Sequence, residues 1–499
     1  MLRAQVIFIC ALFVLSKTLS AQNIRFNKAV EFNGGGEWGR SVLVDDDSSY
    51  VIGIVMDDST NYIGNFWNKF DINGNLILSN GFANSGVEDY YSGFNNSLKR
   101  LSSGNYIDIG TVEKFNPLDR DMMFYKFSQE GDTILKRNYD IQNMTEGHGT
   151  LVASTNEILL IGGTYDSIIN NRDVAIIKVD SLGNLIWSKK YGFGFYDMGF
   201  DAIEYKTNGY MIFCWRGYAQ QFGAPWVLKL DSAGNLIQQK WFYQIPNEPK
   251  IGGGFGAVEG INKNIVIMGY YDTTTINPPH WNSFYPAFLG TMDTSMNLSI
   301  LYDFVESNPS RPYIIKQIKD SSYVAVGYKE NNTAGFIAKV SPAGQLLWER
   351  EYIYKEYGFN YFADFAETPD GGFIITGSTI GDLSQDMWLV KLDSLGLLND
   401  SLIVNNGTLL ANSSTNILQL YPNPTQSQLH LKIFFTQPQN EMATLAVYDM
   451  VGKQVLSESI TLQQGKANHT INVSNLPSGN YIAIVQTGGE VVKQRFVRE

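Results

Sequence analysis

Cysteine and histidine are nearly missing from this chain, and their scarcity removes whole classes of chemistry. Two cysteines occur in 499 residues. Cys10 lies in an apolar N-terminal stretch, which leaves Cys214 alone in the run YMIFCW, the setting of a buried inert thiol rather than a disulfide or a nucleophile. Of the four histidines, His430 and His469 fall near the C-terminus, while His148 and His280 stand apart in different repeats. Each of the latter two reads as a structural loop residue rather than a ligand. Gly-x-Ser-x-Gly, His-Glu-x-x-His, a glycine-rich phosphate loop and a zinc-spaced cysteine set are all lacking. Asp71-Ile-Asn-Gly-Asn opens like a calcium loop but has no later glutamate, so a plain turn is expected there. No metal and no cofactor is implied.

Positive charge is also short. The formal net charge is −12; residues 417–499 set six cations against five anions, and the N-terminal stretch holds Arg3 and Lys17, so the segment between carries −15. That balance argues against nucleic acid and anionic membrane as partners. It suits solubility and contacts with cations or neutral glycans. Beyond residue 21 no run is long and apolar enough to cross a membrane, and none has helical periodicity.

What the chain has instead is repetition. One phrase recurs seven times, most clearly as VAIIKVDSLGNLIWSKKYG (Val174–Gly192), PWVLKLDSAGNLIQQKWF (Pro225–Phe242) and GFIAKVSPAGQLLWEREY (Gly335–Tyr352). Looser copies lie at Asn68–Phe82, Met122–Tyr139 and Ala287–Phe304, with a truncated one at Met387–Gly396. A second phrase precedes each copy, as NEILLIGG at Asn156 or SSYVAVGY at Ser321. These β-branched and aromatic runs between Gly, Asn, Asp and Ser have the composition of strands between tight turns. In Asp-Ser-x-Gly-Asn the aspartate accepts from the following backbone and the glycine supplies positive φ, so the segment reads as a hairpin loop.

Each unit therefore holds four strands over roughly 50 residues, the size of a propeller blade. The expected fold is all-β: a seven-bladed β-propeller over residues 22–400, with a solenoid as the disfavoured alternative. Gly-His and Trp-Asp signatures of WD repeats are absent. The units resemble quinoprotein-type and related bacterial propeller repeats, in which a late aromatic packs on the next blade. Trp187, Trp241 and Trp348 are assigned that place. The last unit stops at LGLLNDS, and its missing strand is found at the other end, in NIRFNKAVEFNG (Asn23–Gly34). There Phe26 and Lys28 match Trp187 and Lys189, so an N-terminal strand should close the ring and leave no bare sheet edge.

The ends read differently. MLRAQVIFICALFVLSKTLSAQ has an early Arg3, an apolar core and a small-residue site at Ala21, the pattern of a signal peptide over residues 1–21. Residues 401–416 are poor in charge and aromatics and read as a linker. Residues 417–499 alternate apolar and polar with regular turn signals, which predicts a small immunoglobulin-like β-sandwich.

That last segment resembles a known family. Its motifs are Tyr421-Pro422-Asn423-Pro424, then Val447-Tyr448-Asp449 with Gly452-Lys453. Leu476-Pro477-Ser478-Gly479-Asn480-Tyr481 follows, and Lys493-Gln494-Arg495-Phe496-Val497-Arg498 stands near the end. Together they are similar to the type A C-terminal sorting domain of the type IX secretion system of Bacteroidetes. Only the extra Glu499 departs from the pattern. The resemblance implies export to the periplasm and recognition by the type IX machinery, which would carry the chain across the outer membrane. Removal of the domain, then release or attachment to surface lipopolysaccharide, would follow. It covers about one sixth of the chain and speaks to destination rather than activity.

A ligand site is expected where the repeats break down. Loops joining strands 2–3 and 4–1 are long, irregular and aromatic, whereas those joining 1–2 and 3–4 are short and uniform. Trp38, Tyr90, Tyr91, Tyr196, Trp281, Tyr285, Tyr357 and Tyr361 are candidates for stacking on sugar or docking protein, against packing between blades. Arg40, Asp201 and Asp364 stand near the expected channel mouth. Arg40 and Asp364 are expected to pair across the ring seam, and no catalytic residue is assigned. The leading expectation is an exported or surface-displayed propeller that binds glycan or protein. The alternatives are a polysaccharide hydrolase or lyase using Asp201 or Asp364, and an adhesive protein with no discrete pocket.

Overall fold

Strands that are apolar on both faces set the architecture. In the run Ile158-Leu159-Leu160-Ile161 every side chain is fully buried. Ile158 and Leu160 pack with Ile107, Ile109 and Phe124 on one side, while Leu159 and Ile161 pack with Ile212 and Leu228 on the other. Such a strand must lie in a sheet with neighbours on both faces. A computed structural model describes residues 24–398 and 417–499, apart from 243–255, 260–264, 271–286 and shorter stretches within them. The expected signal peptide and linker lie outside the described residues.

Among the described residues before 399 the strands form seven sheets, nearly all of four strands. Sheet one contains Glu37–Val44, Tyr50–Asp57, Ile63–Phe70 and Leu76–Phe82. In sheet two, Glu88–Ser92 and Lys99–Arg100 share the inner edge, followed by Tyr106–Phe115, Leu118–Phe127 and Thr133–Tyr139. Sheet three is Thr145–Val152, Ile158–Asp166, Asn171–Val179 and Leu185–Tyr191. Sheet four is Asp197–Tyr205, Gly209–Ala219, Phe222–Leu230 and Leu236–Trp241. Sheet five is Gly256–Glu259, Ile265–Tyr270, Ala287–Met292 and Leu298–Asp303. Sheet six is Ser310–Gln317, Tyr323–Lys329, Gly335–Val340 and Leu346–Tyr352. Sheet seven joins Phe359–Glu367, Phe373–Ile380 and Gln385–Leu392 to the N-terminal strand Phe26–Val30.

A separate apolar cluster fills each gap between consecutive sheets. The series returns on itself, because Val42, Ile52, Ile54 and Phe70 of sheet one pack with Ile374, Met387 and Leu389 of sheet seven. No helix among the described residues is long and apolar enough to cross a membrane.

The repeated hairpin is a latch between sheets. Asp180 Oδ1 accepts from the N–H groups of Leu182 (2.9 Å) and Asn184 (2.8 Å), and Oδ2 accepts from Asn184 Nδ2 at 2.8 Å. Asp71, Asp231 and Asp293 cap their turns in the same way, so Asp71 begins a plain turn as expected. The outer strand of the preceding sheet then donates to the closed turn. Trp187 Nε1 reaches Ser232 O at 3.2 Å, Lys189 Nζ reaches Asn235 Oδ1 at 2.7 Å and Tyr191 Oη reaches Gly234 O at 2.5 Å. Gly234 has φ +74°, and a Cβ there would stand 3.0 Å from the Trp187 ring. Backbone and packing thus both demand glycine at that position.

The N-terminal strand makes the same latch. It pairs with Gln385–Leu392 from Phe26↔Lys391 to Val30↔Met387, which sets Phe26 opposite Lys391 as Trp187 is opposite Lys178. Lys28 Nζ donates to Asn73 O at 2.7 Å, and the Phe26 ring covers Gly74. One assignment needs correction: Trp241 is not a latch residue. Gln238 holds the Trp187 place, opposite Lys229, and Trp241 is 38% exposed beneath Arg216. An odd spacing from Leu236 puts Trp241 on the other face of its strand. Phe242 and Lys240 serve the interface instead, with Lys240 Nζ donating to Met296 O at 2.8 Å.

Residues 417–499 form a three-stranded sheet (Ile417–Tyr421, Gln428–Phe434, Lys466–Asn472) and a four-stranded one (Gln454–Thr461, Met442–Asp449, Gly479–Thr487, Glu490–Arg498). Leu429, Leu431 and Ile433 of the first share a core with Leu445, Val447, Val485 and Phe496 of the second.

Candidate functional site

Inner strands of five sheets carry one extra residue at the same place: Arg40, His148, Phe200, Tyr313 and Ala363. A bulge bends its strand and re-aims a side chain, which suits strands converging on a common axis. Sheet two breaks the pattern. Between Ser92 and Lys99 its chain leaves the sheet and reaches across to neighbours. Phe94 N–H donates to His148 O at 2.7 Å, Thr150 Oγ1 donates to Ser97 O at 2.6 Å, and Leu98 N–H reaches Ser41 Oγ at 3.4 Å. Asn96 bonds the Asp201 carboxylate. The Phe94 ring lies 4.6 Å from His148 and 5.8 Å from Phe200. This insertion ties sheets one, two, three and four together.

Beside it a charged cluster forms that no single stretch of sequence announces. Lys99 interacts electrostatically with Asp108, Asp201, Asp364 and Lys316, which arrive from sheets two, four, seven and six. Asp364 is fully buried and saturated with donors. Its carboxylate takes Lys316 Nζ at 2.6 Å, Ser41 Oγ and Val42 N–H at 3.1 Å, and its neighbour Phe365 N–H at 2.8 Å. The expected Arg40–Asp364 pair is therefore replaced by Lys316–Asp364, a tie among sheets six, seven and one. Arg40 is left with no ion pair or hydrogen bond among the described residues. Burial pushes Asp201 up to about 6, against the pull of Lys99 and Lys316. Burial likewise pushes Lys99 below the usual lysine range, with Lys316 adding repulsion.

Asp108 is 1% exposed, accepts from Tyr125 Oη at 2.9 Å, and is pushed by burial up to about 6. An unfolded aspartate releases its proton near pH 3.9. Between roughly pH 4 and 6 the unfolded chain has thus shed a proton that folded Asp108 keeps, so this group makes stability fall as pH rises through that window. The cost is up to about 3 kcal/mol over the two units. Denaturant titrations at pH 4 and pH 7 should show Asp108→Asn gaining on the unsubstituted chain by about that amount at the higher pH. Equal differences at the two pH values would remove the assignment.

The predicted ligand residues scatter. Tyr196 is 41% exposed; the Arg172 guanidinium lies 4.6 Å over its ring and Trp215 meets it edge-on at 5.6 Å. Tyr361 is half-buried, with Tyr313 at 5.7 Å. Trp38 is half-buried over Gly36. Tyr91 is half-buried, its hydroxyl donating to Asp89 at 3.3 Å, and burial with Glu113 and Asp89 pushes it up to about 12. Tyr90 is corrected: it is 4% exposed in the core between sheets one and two, where Lys136 Nζ sits 4.1 Å over its ring and its hydroxyl donates to Glu88. Such a ring presents no face to a ligand. Trp281, Tyr285, Tyr357 and His280 lie outside the described residues.

His148 does have partners, and it stands in a strand rather than a loop. Its Nδ1 lies 2.8 Å from Gly199 O and its Nε2 3.8 Å from Glu146. Burial would raise Glu146, but His148, Arg172 and Arg120 outweigh it and bring that carboxyl down to about 2. Cys214 is fully buried and its thiol is pushed up by burial, an inert group. Among the described residues no group of three or more His, Cys, Asp or Glu could hold a metal ion. Sequence reasoning missed Lys99, Lys316 and Asp108; the break of pattern at GFNNSLKR was the available signal.

In the C-terminal segment, Tyr481 is buried against Phe496 and donates to Pro477 O at 2.8 Å, which folds the Leu476-Pro477-Ser478-Gly479 turn back on its strand. Leu476 packs against the core, and Lys453 N–H caps onto Asp449 at 2.9 Å. Tyr421, Pro422 and Pro424 are exposed, Lys493 is half-buried, and Asn423 and Gly452 lie outside the described residues.

Comparison with known proteins assigns this segment. Residues 419–499 match the family described as the secretion system C-terminal sorting domain. They are a type IX sorting domain, and the chain is exported by that system to the cell surface or extracellular space. No curated protein matches the chain. Among solved structures, the α-L-arabinofuranosidase Arb93A of Fusarium graminearum is similar at 13% identity, covering 61% of this chain and 93% of that one, with a TM-score of 0.42. The β-propeller domain of the trilobed protease of Pyrococcus furiosus is similar at 10% identity, covering 71% and 95%, also at 0.42. An α-L-arabinanase of Penicillium chrysogenum stands at 11% identity, covering 61% and 93%, at 0.43. At these values the likenesses say nothing about activity or substrate. The described residues before 399 form an all-β fold of β-propeller type.

Proposed function

We propose that this type IX cargo is a seven-bladed β-propeller followed by an immunoglobulin-like sandwich, and that the propeller binds glycan at the irregular edge of its ring. Seven sheets with seven intervening cores support the blade count. One observation carries the binding role: Tyr196 is 41% exposed while Arg172, over its ring, and Trp215, edge-on to it, hold it in place. A preset aromatic plane loses little freedom when a sugar ring stacks on it.

The cluster carboxylates support binding over catalysis. Asp364 is committed to four donors, so it is not free to act as a base. The mature chain should be retarded in native gels cast with soluble polysaccharides, and Tyr196→Ala should weaken that retardation about fivefold, near 1 kcal/mol. No retardation by any polysaccharide tested, or a Tyr196→Ala variant retarded as before, counts against the reading. The raised Asp201 favours a second reading, polysaccharide hydrolysis, which stands only if turnover is found and Asp201→Asn abolishes it.

A further inference from the structure

Lys99 opens the short inner strand that follows the insertion in sheet two. Charges from four sheets surround it, namely Asp108, Asp201, Asp364 and Lys316. No carboxylate among the described residues lies within ion-pair distance of its ammonium, which also makes no hydrogen bond there. Its neighbours are engaged elsewhere: Lys316 Nζ is held by Asp364 at 2.6 Å and by Phe365 O at 2.8 Å. The buried lysines Lys178, Lys329 and Lys391 each have a carboxylate in contact. Lys99 is only half-buried, so part of it meets solvent.

Lack of a partner by itself says little; the company Lys99 keeps says more. Burial lowers Lys136 and Lys493 too, but Lys136 faces Glu88, a carboxyl held below its usual range, and burial acts alone on Lys493. Lys99 stands near Asp201, which is also half-buried and which burial raises to about 6. The Asp201 carboxylate is fixed by the Ala202 N–H at 2.8 Å and by Asn96, whose φ is +64°. A non-glycine residue in that conformation costs energy and persists where its surroundings demand it. Burial and the second cation, Lys316, push Lys99 toward its free amine, the form that attacks carbonyl carbon. An acid that keeps a proton up to nearly neutral pH is the complement such an attack needs. Three carboxylates outnumber two cations here, so the charges disfavour an anionic partner.

We propose that Lys99 captures small neutral aldehydes or ketones as an imine, with Asp201 supplying the proton that lets water leave. Lys99 Nζ gives its lone pair to the carbonyl carbon, and the carbonyl π pair moves onto oxygen. That oxygen takes first a proton from the nitrogen and then one from Asp201, and departs as water. An iminium remains on Lys99 beside an Asp201 carboxylate, opposite charges where an amine and an acid stood before. Direct contact between Lys99 and Asp201 would tie up both groups, whereas standing apart leaves each able to meet the carbonyl oxygen or carbon. This activity is separate from the glycan-binding reading and does not depend on it.

Propionaldehyde with cyanoborohydride, which reduces an iminium and locks it as an alkylamine, tests this on the mature chain near pH 6.5. Peptide mass spectrometry should find Lys99 alkylated several-fold faster than the exposed Lys190, Lys432 and Lys453. Asp201→Asn gives a result that charge alone predicts the other way. It removes a carboxylate that favours the ammonium, so the free amine becomes more abundant. Alkylation of Lys99 should nevertheless fall roughly tenfold or more, because the proton donor is gone. Acetylation by N-hydroxysuccinimidyl acetate needs the free amine but expels no water, so at Lys99 it should proceed in the variant at least as fast as before. Alkylation of Lys99 no faster than that of the exposed lysines overturns the proposal. So does an Asp201→Asn variant alkylated at the original rate or faster, or a Lys99 that neither reagent modifies.

Discussion

Deleting residues 24–31 should lower the melting temperature of the mature chain by about 5–10 °C or leave it aggregated. The strand Phe26–Val30 is the outer member of sheet seven, and without it the edge Met387–Leu392 loses its ladder. That edge is buried and apolar except for Lys391, with Trp388 donating to Asn27 Oδ1 at 2.5 Å. The deletion also removes Phe26 from Gly74, Lys28 from Asn73 and the Arg25–Asp393 pair at 3.7 Å, so sheets seven and one lose this latch and keep only their apolar core and the Asp364 bonds. A bare hydrophobic edge is a template for intermolecular pairing. Five ladder residues and one aromatic contact together amount to about 5 kcal/mol. Spread over a domain of this size, that corresponds to the shift stated. Differential scanning calorimetry and size-exclusion chromatography read both outcomes. A synthetic peptide of residues 22–34 should restore part of the loss by mass action. A deletion variant that melts with the full chain would mean that the ring does not depend on this closure.

Asp364→Ala should cost about 3–5 kcal/mol, the usual penalty for orphaning one member of a buried ion pair. It leaves Ser41 Oγ and Val42 N–H without their acceptor and Lys316 with only Phe365 O, three donors from two other sheets. Lys316→Met should cost a similar amount, because it leaves a fully buried carboxylate without its directly paired cation. The double variant should be milder than the sum of the two, since neither charge remains to be orphaned. Denaturant unfolding of the four proteins completes the cycle. Additive losses would mean that the two groups act independently, and that the seam is held by apolar packing alone.

Particular elements show how far the residues themselves could be read. The latch was legible because its chemistry is local. Asp180, Gly183 and Asn184 lie within five positions, and their bonds close inside one turn. Ring closure was legible because Phe26 and Lys28 repeat the spacing of Trp187 and Lys189, and strand periodicity carries that spacing into space. Trp241 was misplaced because likeness of phrase was followed where parity along the strand should have decided. Tyr90 was misjudged for a related reason. It sits in an irregular loop-like phrase, but that phrase is an inner strand whose alternate side chains enter the core.

Local order, then, was settled by the residues alone: strand, turn, strand, the hairpin caps, the repeat length and the sorting domain at the end. Each depends on groups a few positions apart, where backbone preference and side-chain reach act without help from the rest of the chain. Convergence was decided only by the tertiary structure. Lys99, Asp108, Asp201, Lys316 and Asp364 span more than 260 positions and meet because seven sheets turn their inner strands toward one another. The same turning gave Asp364 to Lys316 and left Arg40 with no ion pair among the described residues. Which cation reaches a given carboxylate depends on strand bulges and on burial, and both arise from packing between sheets rather than from neighbouring residues.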